Sequence, residues 1–245
     1  MAEKFQTRAP KGMDKEATKA KTVKLLEQLF EMQNILYAQS KYSVLIVMQG
    51  LDAAGKDGAI KNIFSGVNPM GCAVTSFKAP TKEELAHDFL WRIHKETPAK
   101  GMIKIFNRSH YEDVLITRVE KWIDQKESKR RFEAINNFEQ SLQRHNNTVI
   151  FKFFLNISKE KQKEKFQERL TDPAKRWKYN PEDMKAASKY DAYLTVYKDV
   201  IKNCSPAIPW TIVPSDQNWF KEYTIAKTLV DGLKKLKLEF PKAAK

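Results

Sequence analysis

Five short apolar runs, "SVLIVM" (43–48), "AVTSF" (73–77), "MIKIF" (102–106), "TVIFKFFL" (148–155) and "WTIV" (210–213), are free of proline and separated by longer helical patterns. Such alternation builds a parallel sheet, because each strand must return through a crossover, usually a helix, that packs on a sheet face. Most of the runs are apolar throughout rather than alternating, as strands buried on both faces are. Helical patterns run over about 14–40, 56–65, 82–95, 110–122, 127–146, 158–170, 182–203 and 217–238. The predicted fold is a three-layer α/β/α sandwich around a five-stranded parallel sheet. No repeat or Gly/Ser linker divides the 245 residues, so residues 1–245 read as one domain. A cation-rich stretch over 171–181, marked by Pro173 and Pro181, reads as a surface loop, either a mobile lid or a plain connector.

The charge balance favours an anionic partner: 44 Lys+Arg against 30 Asp+Glu leave a net +14. The plainer reading is a basic, soluble surface. No apolar run approaches the roughly 20 residues a membrane span needs, and the N-terminal stretch is polar and charged, so a cytoplasmic protein with no membrane partner is expected. Cys72 and Cys204 are far apart among apolar neighbours and read as core thiols, and the four histidines lack metal-ligand spacing.

The first run leads into "QGLDAAGKDGAI", which has the G-x-x-x-x-G-K spacing of a phosphate loop in Gly50, Gly55 and Lys56. Backbone N–H groups of Gly50, Leu51, Asp52, Ala53, Ala54, Gly55, Asp57 and Gly58, with the start of the following helix, would surround phosphate oxygens. Asp57 stands where a hydroxyl is expected, and Asp52 adds a second carboxylate. Both would repel phosphate unless a cation lies between, which implies bound Mg²⁺, with Mn²⁺ as a substitute. Asp57 also reads as a first-turn carboxylate favoured by the helix dipole, and Asp52 as a turn-forming residue.

A second cluster, "IKIFNRSHYEDVL", runs from the third strand into a helix. It places Asn107 and Arg108 at the carboxyl edge of the sheet, where open α/β folds bind ligands. Arg108 suits a bidentate phosphate clamp. Ser109 and Glu112 read as a capping box. Asp113 is expected to point into the site as a metal or water ligand. Asn107 cannot take a proton from a hydroxyl nucleophile as a carboxylate can. A phosphate acceptor, already ionised at neutral pH, removes that need, with Asp52 as the alternative base for a hydroxyl acceptor.

Five blocks in order, "GLDAAGKDG", "FKAPTKEELAHDFLWRIH", "IFNRSHYEDVL", "RLTDPAKRWKYNPEDM" and "PWTIVPSDQNWF", resemble the polyphosphate kinase 2 family across roughly residues 15–235. The resemblance implies a thymidylate-kinase-like P-loop fold with a helical lid, here about 169–190, that uses Mg²⁺ to move phosphoryl groups between inorganic polyphosphate and nucleotides. It implies Asp52 as an acceptor-orienting or metal-binding acid, Lys56 as the loop cation, Arg108 as the clamp and Asp113 as a metal-site acid. In the lid it suggests Arg169, Lys175, Arg176 and Lys178 as phosphate-binding cations. Lys78, Arg92 and Arg118 are candidates for a groove along the polyphosphate chain, though each also reads as a solvated surface charge. Asn107, where the family commonly has Asp, resembles its class III members, which phosphorylate nucleoside mono- and diphosphates. The expected substrates are AMP, ADP and ATP, with guanine nucleotides as further candidates, and a homodimer or homotetramer is expected. The competing readings are an ATP-dependent nucleotide or small-molecule kinase on the same fold, and a basic nucleic-acid-binding module, against which stands the lack of any base-reading motif.

Overall fold

The computed structural model describes residues 5–179, 185 and 187–242. All five apolar runs form strands: β1 Ser43–Gly50, β2 Cys72–Ser76, β3 Ile103–Asn107, β4 Thr148–Asn156 and β5 Trp210–Pro214. They pair in parallel in the order β2-β3-β1-β4-β5. Every residue of β1 is buried, which its unbroken apolar run requires of a central strand. Edge strand β2 is only half covered, and Val74 there is exposed.

The helices are α1 Lys15–Gln39, α2 Lys56–Phe64, α3 Lys82–Leu85, α4 Trp91–His94, α5 Glu112–Val119, α6 Gln125–Asn146, α7 Lys159–Thr171, α8 Tyr190–Asn203 and α9 Asn218–Lys234, among the described residues. Side-chain caps set several starts: Asp14 accepts from Ala17 N at 2.6 Å, Asp124 from Glu127 N at 2.7 Å and Ser158 from Lys161 N at 3.2 Å. The single helix expected over 82–95 is instead two short turns. Asp88 Oδ1 takes the Leu90 amide at 2.9 Å, so the side chain replaces the helical acceptor and the run breaks there. Residues 180–184 and 186, in the expected lid and at the start of the 182–203 pattern, lie outside the described residues.

From β1 the chain fills one side of the sheet with β2 and β3, then crosses to the other with β4 and β5. The crevice therefore opens beside the carboxyl end of β1. Met48 of β1 lies in register with Asn107 of β3, so the loops leaving these neighbouring strands face each other.

Beneath them is a buried polar network. Lys152 of β4 donates to Glu139 Oε2 of α6 at 2.7 Å, to Tyr111 Oη at 3.0 Å and to the Cys204 carbonyl at 2.6 Å. Tyr111 Oη donates to Glu139 Oε1 at 2.7 Å, and His110 Nε2 lies 3.2 Å from the same oxygen. Burial pushes the Glu139 carboxyl up, but the His110 hydrogen bond and the Lys152 charge outweigh it and hold it below the usual range.

Candidate active site

Gly50 ends β1 so close to β4 that a Cβ there would lie 2.7 Å from Leu155 O. Ala53 and Gly55 then turn through left-handed conformations, φ 62° and 89°, and α2 begins at Lys56. The turn folds the Lys56 side chain back over its own loop, where Nζ donates to Gly50 O at 2.8 Å and Leu51 O at 3.3 Å. Burial, then the charge of Arg108, pushes its pKa down to about 8 against the pull of Asp52, Glu112 and Asp57.

Each carboxylate of the loop has a partner at the end of β3. Asp52 Oδ1 accepts from Arg108 Nη2 at 2.5 Å, and Asp57 Oδ1 accepts from Asn107 Nδ2 at 2.8 Å. Arg108 is held in a left-handed conformation, φ 63°, with its N–H donating to Met48 O at 3.1 Å. A non-glycine residue there costs of order 1–3 kcal/mol and persists where surrounding structure fixes it. The strain aims the guanidinium across the mouth of the loop.

These residues open onto a cleft of about 560 Å³. Of the sequence-predicted residues, Asp52, Ala53, Gly55, Lys56, Asp57 and Gly58 form its floor, Asn107, Arg108 and Lys78 one flank, and Arg169, Lys175 and Lys178 the other. Lys165, Lys221 and Trp177 also line it, and no motif or spacing singles out the two lysines as site residues. Across the wall, eight cations (Lys56, Lys78, Arg108, Lys165, Arg169, Lys175, Lys178, Lys221) face four carboxylates (Asp52, Asp57, Glu168, Glu222), a surplus that suits a polyanion. A smaller cavity of about 30 Å³ shares Asp52 and Arg108 and is walled by Gly50, Leu51, Glu112, Gln162, Tyr193 and Tyr197.

Several expectations are corrected. Asp113 does not point into the cleft: Oδ2 lies 3.6 Å from Arg92 Nη2 and has no hydrogen-bond partner, and burial pushes the carboxyl up against Arg92, Arg131 and His110. Arg92 is buried and donates to Lys78 O at 2.9 Å, so it braces the Lys78 loop and is not a surface charge. Arg118 pairs with Asp199 of α8 at 2.6 Å, away from the cleft wall, and neither Ala54, which is fully buried, nor Arg176 lines it. Ser109 and Glu112 form no capping box, since α5 starts at Glu112 with Tyr111 as an uncapped N-cap. Glu112 instead turns into the small cavity, 3.7 Å from Arg108. With its amide nitrogen toward that carboxylate, the orientation that satisfies every neighbour, Gln49 donates to Glu112 at 3.0 Å and accepts from Ser109. Burial raises the Glu112 pKa against Arg108 and Lys56. The S-x-x-E spacing had supplied a sufficient structural reason for this residue and so hid it.

No three His, Cys, Asp or Glu among the described residues converge to hold a metal. Mg²⁺ needs no such cage when substrate phosphates and water complete its shell around one or two carboxylates. Asp52 and Asp57 on the cleft floor fit that donor set; Asp113 lies beside Arg92, outside the cleft lining.

With this geometry in place the comparisons are specific. The profile of the family described as Polyphosphate kinase 2 (PPK2) matches residues 12–241. The chain belongs to the polyphosphate kinase 2 family. An AMP/ADP-polyphosphate phosphotransferase of Meiothermus ruber is 43% identical over 218 residues, 89% of this chain and 81% of that protein. An ADP-polyphosphate phosphotransferase of Rhodopseudomonas palustris is 38% identical, over 88% of this chain and 79% of its own length. A crystal structure of polyphosphate kinase 2 from Arthrobacter aurescens superposes with a TM-score of 0.91 at 38% identity, covering 98% of this chain and 91% of that one. The parallel sheet and its loops are thus those of polyphosphate kinase 2 proteins.

Proposed function

We propose that the chain is a polyphosphate:nucleotide phosphotransferase that moves a terminal phosphoryl group reversibly between inorganic polyphosphate and AMP or ADP. The observation that carries this reading is the Asn107–Asp57 pair at the cleft floor. Asn107 is an amide where a carboxylate could take a proton from a hydroxyl acceptor, and Asp57 and Asp52 are engaged by Asn107 and Arg108, which supports an acceptor that needs no deprotonation, a phosphate. The relatives named for AMP and ADP support the same acceptors.

In this scheme the loop N–H groups and Lys56 bind the transferring phosphate, and Arg108, oriented by Asp52, neutralises charge that develops during in-line transfer. Asp52 and Asp57 would hold Mg²⁺, which when bound supplies charge neutralisation between donor and acceptor phosphates. Arg169 of α7 and Lys175 and Lys178 of the following loop keep the donor chain in the cleft. The proposal extends to guanine nucleotides and to a homodimeric or homotetrameric assembly. No described helix is long and apolar enough to cross a membrane.

ADP, Mg²⁺ and long-chain polyphosphate, with ATP absent at the start, separate this reading from an ATP-dependent kinase. ATP should form with wild-type protein and fall by about 10²–10³-fold with Lys56→Ala, as loss of one preorganised donor to the reacting group implies. No ATP from wild-type protein, alongside ATP-driven phosphorylation of another acceptor, overturns it.

A further inference from the structure

Two cations on the cleft wall take no part in the scheme above: Lys165 of α7 and Lys221 of α9. Lys221 is buried and Lys165 half-buried, and among the described residues neither has a carboxylate within ion-pair distance. Their hydrogen bonds go to oxygens with no net charge. Lys165 Nζ donates to Ala53 O at 3.1 Å, and Lys221 Nζ donates to Gly55 O at 3.3 Å and Asn218 Oδ1 at 3.0 Å. Both nitrogens converge on one point of the glycine turn: a Cβ at Gly55 would strike Lys221 Nζ and lie 3.4 Å from Lys165 Nζ. Two like charges held together at a cavity wall with no carboxylate in direct contact are costly, and an anion in the cavity relieves that cost.

We propose that Lys165 and Lys221 form a seat for a non-reacting phosphate of the polyphosphate chain, separate from the Asp52–Arg108 pair where transfer takes place. The inference rests on the polyphosphate-transfer reading. It favours the chain over the nucleotide for two reasons. Lysines are point charges that grip repeating anionic units without demanding one orientation. Lys165 and Arg169 also stand four residues apart on α7, one face of one helix, so the seat continues into the row of cations formed with Lys175 and Lys178.

The electrostatics around the pair give a signature that a purely structural lysine would lack. Burial, then Lys165, pushes the Lys221 pKa down to about 8, with Glu222 opposing. Burial, then Lys161 and Arg169, lowers Lys165 against Glu168 and Asp216. Above pH 8 Lys221 in the empty seat is therefore partly deprotonated. Arrival of a phosphate raises both lysines, and the protein takes up protons as it binds.

The test is calorimetric titration of the full chain with long-chain polyphosphate at pH 8.5, without nucleotide, in two buffers of different ionisation enthalpy. Wild type should take up protons on binding; Lys221→Met should lose part of that uptake, and Lys165→Met should lose part as well, because it removes the neighbouring charge that lowers Lys221. Each should also raise KM for polyphosphate about tenfold or more, as removal of one charge-assisted contact implies, and move KM for ADP far less. Lys165→Arg should restore the polyphosphate KM. Thermal melts confirm that the variants fold; if Lys221→Met does not, the Lys165 pair of variants decides. Wild-type uptake retained in the folded variants, or a KM change confined to ADP, overturns the seat. Failure of wild type to make ATP would instead overturn the functional reading, since the proton count is taken without turnover.

Discussion

The Lys56 ammonium is buried against two carbonyls of its own loop, and its pKa of about 8 makes activity and stability respond to pH with opposite sign. Phosphate binds the charged form, so kcat/KM for polyphosphate should fall as pH rises through about 8. Stability should move the other way. The folded-state value lies below the ordinary lysine value of 10.5, so between about 8 and 10.5 the unfolded chain holds the extra proton. Stability from this group therefore rises with pH across that window and is flat below it. Melting temperature measured from pH 7 to 10 should climb relative to Lys56→Met, whose side chain does not titrate. Parallel curves for the two proteins would show that burial does not hold Lys56 down.

At the scale of elements, the Lys152–Glu139 pair ties β4 and α6 to Tyr111 at the start of α5 and to the end of α8. Removing one partner of a buried ion pair leaves an uncompensated charge and costs about 3–5 kcal/mol, whereas apolar replacement of both can be nearly neutral. Lys152→Met should accordingly lose stability of that order in urea unfolding, and Lys152→Met with Glu139→Leu should recover only part of it, because Tyr111 Oη, His110 and the Cys204 carbonyl then lose their partners. Equal losses in the single and double variants would mean that the pair is not the source. This network was illegible in the sequence: Lys152 interrupts an apolar strand and Glu139 sits on a charged helix, and only the fold joins them. The strands themselves could be read because double-sided burial leaves an unbroken apolar run. The 82–95 helix was misread because the Asp88 side chain competes with the backbone for the Leu90 amide, a local choice that apolar spacing does not encode.

Across the whole molecule, the phosphate loop and Arg108 could be found because strand–loop–helix spacing fixes backbone geometry near a site. Lys165 and Lys221 could not, since they come from distant helices and only the tertiary fold turns them toward Gly55. Asp113 stands on the first turn of α5 as its spacing implies, but the fold sets its carboxylate beside the buried Arg92, which spacing alone does not encode. Net charge alone did not locate a binding surface. The cleft does, with twice as many cations as carboxylates on its wall. A linear polyphosphate held there displaces its own counterions, so log(1/KM) for polyphosphate should fall linearly with log salt, as for other phosphate polymers. Lys178 lies over the Trp177 ring at 5.0 Å and has no ion-pair partner among the described residues, so its charge is available to the chain. Lys178→Ala should make that slope shallower by about 0.7, the value for one contact on a single-stranded polyanion, and leave the salt dependence of KM for ADP unchanged. Steady-state rates at several NaCl concentrations give both slopes. An unchanged polyphosphate slope would place the chain away from the loop that follows α7.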